Sequence, residues 1–513
     1  MVYSIDKFCV CYILSLGGIY MNKRLILFVI MFFICTSMLS AYSKPDTTWT
    51  RLFGGSQYEF GRCIEQTYDG GYILIGDTYS YGAGDKDIYL IKIKPNGDTL
   101  WTKTYGGTGE EDGYSVQQTS DSGYIILGAT SSYGIGGFSF WLVKTKPDGD
   151  TLWTKTFGGT EWDWGYSVRQ TSDKGYILTG YTESYGPSPY ISNLWLIKTD
   201  SLGNTDWSKV YGGNNSDYGC FVRETSDGGY IIIGDTYSFG AARRNIYLLK
   251  TSSIGDSLWA RAFGGDSSDA GKSVQQTYDG GYILTGYTES YGAGDKDFWL
   301  IKTDSNGIME WDKTFGGSNE ERGESVCQTN DSGYIITGNT ESYGNGNSDV
   351  YIVRTDTNGD TIWTSTYGWD NQDWGRCIVQ TDDGGYIIAG DTYTSLSTGE
   401  YDIYVIKLAP ETGIKCKNRK QTNMINIKNY PNPFVSYTNI YLTIERKQII
   451  NLSIYNIKGQ RIKNIINKCL PSGNYNFKWN GRNSSGNIMK PGIYFYKVTI
   501  GNRSFSGKII LIK

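Results

Sequence analysis

Seven carboxylates recur in this chain at one place in a repeating phrase, each two residues before a glycine: Glu59, Glu111, Asp163, Asp217, Asp269, Glu321 and Asp373. Such a ring of acids admits three chemistries. Each carboxylate can cap its own loop by accepting backbone N–H bonds. Together they offer oxygen ligands to Ca²⁺ or another hard cation. Two of them can also serve as the carboxyl pair of glycoside hydrolysis, which needs a separation of roughly 5 to 10 Å and unlike environments. Beside two of the acids stand tryptophans that do not recur, Trp162 and Trp164, and Trp369 and Trp374; these offer flat apolar planes of the kind sugars stack on. Histidine is absent from the sequence, which excludes His-based triads, His zinc sites and imidazole proton shuttles. Cys63, Cys220, Cys327, Cys377, Cys416 and Cys469 are scattered without C-x-x-C pairing and do not read as a metal site. Cys63 and Cys377 hold equivalent positions in the first and last repeats, which ring closure would make neighbours, so a disulfide is one reading of the pair; against it, equivalent positions on adjacent units are usually too far apart for sulfur bonding.

The elements that carry these residues are copies of one unit. Each copy opens on a tryptophan, Trp49, Trp101, Trp153, Trp207, Trp259, Trp311 and Trp363, spaced 52, 52, 54, 52, 52 and 52 residues apart. A period near 50 means stacked units, none able to bury its apolar face alone. Within a copy, apolar and polar residues alternate and Gly-rich turns interrupt every six to ten residues, so the reading is β throughout. The sixth copy reads as strand a (324–329), strand b (334–340), a longer loop, strand c (350–355) and strand d (361–367). Four strands per unit, arranged radially, make a propeller blade. The last copy stops after its strand c, 404–408, while the chain begins with an unpartnered strand d, 47–53. The two complete one blade, so the expected fold is all-β, a seven-bladed β-propeller over 44–409 closed by its own N-terminal strand.

Turns of a four-stranded meander alternate faces. The acids before strand a therefore share a face with the long b–c loops, and function is expected there. The a–b turn aspartates Asp69, Asp121, Asp173, Asp227, Asp279, Asp331 and Asp383 read as turn-bonding residues. The Gln-Thr pair that ends strand a, and the basic residue of strand c, are expected to satisfy buried groups or to pair between blades. Asp304, Gly307 and Trp311, with the turn one residue short, resemble the tryptophan-docking motif of quinoprotein propellers. That resemblance implies indoles packed against the neighbouring blade and, with the turn departing from the family pattern, bears on blade packing only and not on a quinone cofactor.

Charge divides the chain. Residues 44–409 hold 27 Lys+Arg against 49 Asp+Glu, and residues 410–513 hold 18 against 2. A propeller this acidic disfavours nucleic acid. Residues 1–20 read as an unused upstream start. Met21-Asn22-Lys23-Arg24, the apolar run 25–39 and Ser40-Ala41-Tyr42-Ser43 read as a signal peptide over 21–43, leaving no transmembrane anchor in the mature chain. A polar, Lys-rich linker, 410–428, leads to a small immunoglobulin-like β-sandwich over 429–513. Its motifs Tyr430-Pro431-Asn432-Pro433-Phe434, 452–459, Trp479-Asn480-Gly481, Pro491-Gly492-Ile493-Tyr494-Phe495-Tyr496-Lys497 and 508–513 resemble the type A C-terminal sorting domain of the type IX secretion system of Bacteroidetes-like bacteria. That resemblance implies passage to the periplasm and then across the outer membrane, with the secretion machinery as partner and the cell surface or medium as destination.

Two functions follow as expectations. One is an exported binding or adhesion module whose long-loop face takes a polysaccharide or surface protein, with no catalytic residue and no cofactor beyond possible Ca²⁺. The other is a secreted carbohydrate-active hydrolase or lyase using Asp/Glu and Tyr on that face. Near identity of the blades favours the first, because catalysis needs asymmetric placement.

Overall fold

The computed structural model describes residues 44–512 except 189, 242, 394–399, 412–426, 431, 433, 445–447, 458–459, 471–472 and 501–502. The upstream start, the signal peptide, most of the linker and the turns at 458–459 and 471–472 lie outside the described residues. The chain divides into two compact units, Met1–Ile414 and Lys415–Lys513.

The first unit holds seven four-stranded antiparallel sheets. Blade one runs Glu59–Gln66 (strand a), Tyr72–Thr78 (b), Asp87–Ile93 (c) and Thr99–Tyr105 (d), and the next five blades repeat it. Blade seven takes a, b and c from Gln372–Gln380, Tyr386–Tyr393 and Tyr401–Leu408 and its d from Thr47–Phe53, in register from Thr47↔Leu408 to Phe53↔Ile403. The ring closes as its sequence requires.

Strands b and c lie in the middle of each blade and pack on both neighbours, which is why they read as unbroken apolar runs. Leu74 and Ile91 on one side of blade one, and Ile73 and Ile88 on the other, are fully buried in two different inter-blade cores. Strand d is the outer edge and alternates exposed and half-buried residues. The recurring tryptophans are mortar: Trp101 meets Tyr124 of the next blade edge-on at 5.9 Å, and the other six repeat the pairing. At the last seam Trp363 and Tyr386 also donate to Glu411, at 3.1 and 3.0 Å, so the propeller's bonding reaches two residues past Ala409.

Each recurring polar residue has one job. The a–b turn aspartate, Asp69 in blade one, accepts from Thr67 Oγ1, from the Gly71 N–H and from the buried Lys92 ammonium of strand c. Burial opposes ionisation of Asp69, but these bonds win and hold the carboxyl at about 2. The glutamine ending strand a reaches the neighbouring blade, as when Gln118 Oε1 accepts the Tyr68 N–H at 2.8 Å. The series closes across the seam where Gln66 accepts from Asp382 at 2.7 Å.

The second unit is a two-sheet sandwich. One sheet orders Ile427–Tyr430, Thr438–Ile444 and Gly473–Trp479. The other orders Arg461–Leu470, Gln448–Asn456, Gly492–Ile500 and Arg503–Leu511. Trp479, fully buried among Phe434, Leu452, Tyr494 and Leu511, anchors the core and donates to the Arg482 carbonyl at 2.9 Å.

Candidate functional site

The acid ring sits one step deeper than its sequence suggests. The seven carboxylates are not loop residues before strand a. They belong to the strand itself, first in six blades and second in the seventh, because the glycine that follows is inside the strand and does not end a turn. All seven are fully buried. Glu111 accepts from the Gly107 N–H at 2.7 Å, from Thr130 Oγ1 at 2.7 Å and from the Ser132 N–H at 3.1 Å. Glu59 and Glu321 repeat this set. Asp163, Asp217 and Asp269 reach Gly159, Gly213 and Gly265 and take a serine hydroxyl instead, and Asp373 accepts from the Trp369 N–H. This is capping geometry. Among the described residues no three acidic, Cys or His side chains converge where a metal ion could sit.

The four tryptophans do not assemble into one surface. Trp162 and Trp164 lie 6.1 Å apart on the third blade around Phe138, and Trp162 is 51 % exposed. Trp369, on the seventh blade, packs on Tyr404 at 4.8 Å, and Trp374 lies under the Arg376 guanidinium at 4.2 Å.

The asymmetry that the blades lack elsewhere is concentrated at the residue after each strand-a glycine. There the strand carries a β-bulge: pairing skips from Gly61 to Cys63 in blade one, and the same shift recurs in all seven. A bulge re-aims the residue it leaves unpaired. The bulged residues are Arg62, Tyr114, Tyr166, Cys220, Lys272, Glu324 and Arg376, and all seven line one cavity of about 460 Å³. Asp235, next to last in its strand b, Tyr237 just after that strand, and Arg244 just before strand c also line it. These neighbours place the cavity at the end of the ring that carries the long b–c loops.

Its walls differ. Blades two to four present rings in succession: Tyr114 meets Tyr166 at 5.0 Å, Tyr166 meets Tyr181 at 6.1 Å, and Tyr181 meets Tyr218 at 5.1 Å. Blades five to seven and blade one present Lys272, Glu324, Arg376 and Arg62, with Arg244 and Asp235 from blade four. Three guanidiniums are fixed by carboxylates: Arg62 by Asp77 at 3.0 Å, Arg376 by Asp391 at 3.1 Å, and Arg244 by Asp235 while it also donates to Tyr287 Oη at 2.9 Å. Lys272 is different. Its ammonium forms no hydrogen bond or close ion pair with a described residue, and the Glu324 carboxylate keeps it charged by raising it above the ordinary lysine range against burial. Burial, with help from Asp235, pushes Cys220 up to about 12, so its thiol stays protonated. Close by, burial and the Asp77 charge raise Asp112 to about 6, although Lys86 sits 2.8 Å away.

Recurrence along the chain does not mark this pocket. The signal was present in the reverse pattern. Among nearly identical copies, the residues before and after the strand-a glycine, and the next-to-last residue of strand b, are where the copies disagree.

Residues 438–504 match the FlgD Ig-like domain family. No curated protein matches the chain. Among solved structures the chain is similar to a fungal alcohol oxidase of the AA5 family in complex with copper, at 11 % identity over 92 % of this chain and 100 % of that one, with a TM-score of 0.50. Two further solved structures have lower TM-scores. One is PorZ, a bacterial surface component of the type-IX secretion system of Porphyromonas gingivalis, at 11 % identity over 93 % of this chain and 60 % of that one, with a TM-score of 0.38. The Pan2 WD40 domain of Neurospora crassa follows at 10 % identity over 73 % and 98 %, with a TM-score of 0.45. The first likeness bears on the fold alone: an all-β chain of seven blades followed by an immunoglobulin-like sandwich.

Proposed function

We propose that this protein is an exported binding module whose ligand, a saccharide ring, sits in the central pocket at the long-loop end of the propeller. The observation that carries this reading is the ring of seven bulged side chains, which differ between copies that otherwise agree and divide the pocket into an aromatic wall and a charged wall. A sugar has an apolar ring face to lay on Tyr166 and hydroxyl or carboxylate groups to meet Lys272 and the fixed guanidiniums. Binding fits better than hydrolysis because the pocket is lined by two carboxylates, Asp235 and Glu324, and both oxygens of Asp235 are occupied, one by Arg244 and one by the Gly271 N–H at 3.0 Å, which leaves Glu324 without the second free carboxylate that glycoside hydrolysis needs. On a glycan array the protein should retain a defined set of glycans. Tyr166→Ala and Lys272→Met should each weaken that retention about tenfold or more while the melting temperature stays within a few degrees. Unchanged retention in both variants would remove the pocket from the function.

Export rests on the tail. Its motif set and the immunoglobulin-like sandwich support delivery to the outer surface or the medium through the type IX machinery. In a host with that machinery, a chain lacking 429–513 should accumulate folded in the periplasm. Equal surface or medium levels of the two chains would refute the route.

A further inference from the structure

We infer that Cys63 and Cys377 are a redox-modifiable pair that forms a disulfide across the seam between the first and last blades. The two residues hold the same place in strand a, two after the glycine, where the other blades carry Ser115, Ser167, Phe221, Ser273 and Ser325. Adjacent strands a come closer here than radial spacing would suggest. The Val168 N–H reaches Ser115 Oγ at 3.2 Å, and the Ile378 N–H reaches Ser325 Oγ at 3.3 Å. At the seam the hydroxyls are replaced by thiols from both sides. Cys377 Sγ lies 3.5 Å from the Ile64 carbonyl, beside Cys63 in the chain, and packs against the core that holds the buried Cys63; both are free thiols in this structure. Oxidation of the pair is the direct test of the expectation that equivalent positions are too distant for sulfur bonding.

The pair is set up unequally. Cys377 and the Arg169 guanidinium pull the Cys63 thiol down against burial. Cys63 and burial push Cys377 up. Cys63 is thus the attacking sulfur. Both cysteines line the central cavity, which gives a small disulfide oxidant an approach. In the first step Cys63 thiolate attacks one sulfur of the oxidant, forming a mixed disulfide and expelling the other sulfur as a thiolate. In the second, Cys377 gives up its proton and attacks Cys63 Sγ, releasing the remaining oxidant thiol. Two protein thiols are oxidised and one oxidant disulfide is reduced to two thiols. The product ties blade one to blade seven, a covalent clasp beside the hydrogen-bonded one made by Thr47–Phe53.

The test incubates the protein with oxidised glutathione, blocks remaining thiols with iodoacetamide, and maps the peptides by mass spectrometry. The expected result is the Cys63 peptide joined to the Cys377 peptide, lost on reduction, with the oxidised protein melting several degrees above the reduced one. Cys63→Ser and Cys377→Ser should each abolish that gap, and Cys220→Ser should keep it. Recovery of Cys63 and Cys377 as separately alkylated peptides, or joined to other cysteines, overturns the inference. If a serine variant does not fold, the peptide map of the unaltered protein decides alone.

Discussion

A chain that lacks residues 44–55 will lose about 6 °C or more of melting temperature. The deletion removes strand d of the seventh blade, which pairs along its length with Tyr401–Leu408. It also removes Trp49 and Phe53 from the core between blades seven and one, and Leu52 from the core between six and seven. Three partly buried apolar side chains at about 1.5 kcal/mol or more each give roughly 5 kcal/mol. At about 2.1 cal/mol/K of unfolding entropy per residue, a domain spanning 44–409 moves its transition by roughly 1.3 °C per kcal/mol. The exposed edge of Tyr401–Leu408 adds a tendency to self-associate. Calorimetry on chains starting at 44 and at 56 makes the comparison. A shift of only one or two degrees would mean that the inter-blade cores close the ring unaided and the N-terminal strand is an ornament.

How far the sequence carries can be judged residue by residue. Strand b of the sixth blade, Tyr334–Thr340, and the closing strand, Thr47–Phe53, fall where their patterns place them, because turns with aspartate and glycine mark both ends and the two faces of each strand have fixed surroundings. Strand a does not. In the sixth copy its pattern points to a start at Glu324, while the strand begins at Glu321. Gly323 looks like punctuation and is in fact the strand residue beside a bulge. The same punctuation places the acid ring in loops by pattern alone, where capping is one option among three, while the carboxylates lie in the strand and are buried. The pocket was less legible still. It is built from side chains far apart in sequence that share only a place in the repeat, and their variety, Arg62 beside Tyr114 beside Tyr166, looks like noise until the ring closes and brings them to one axis.

The strand-b glycines are what permit the bulges, so replacing one should remove pocket and stability together. At Gly286 a Cβ would stand 1.7 Å from the Ala270 carbonyl oxygen and 3.1 Å from Gly271 Cα, both of them backbone atoms that no side-chain rotation can clear. Gly286 pairs with Gly271, and the next residue, Lys272, is the bulged one that enters the pocket. Gly286→Ala must therefore push strands a and b of the fifth blade apart. Overpacking of this kind costs about 3 kcal/mol, and the displaced Lys272 should carry glycan retention down with it. The turn glycine Gly280, six residues before Gly286, supplies the control. Its φ is +88°, a left-handed conformation, yet nothing lies within 4 Å of its Cβ position, and the equivalent residues Ser122, Lys174 and Ser332 already adopt φ near +70° in this chain. Gly280→Ser should cost about 1 to 2 kcal/mol, the ordinary penalty of a side chain in the left-handed region, and leave retention intact. If Gly286→Ala melts and binds like Gly280→Ser, the bulge is adaptable, and the geometry of the seven pocket residues is not set by the glycines that face them.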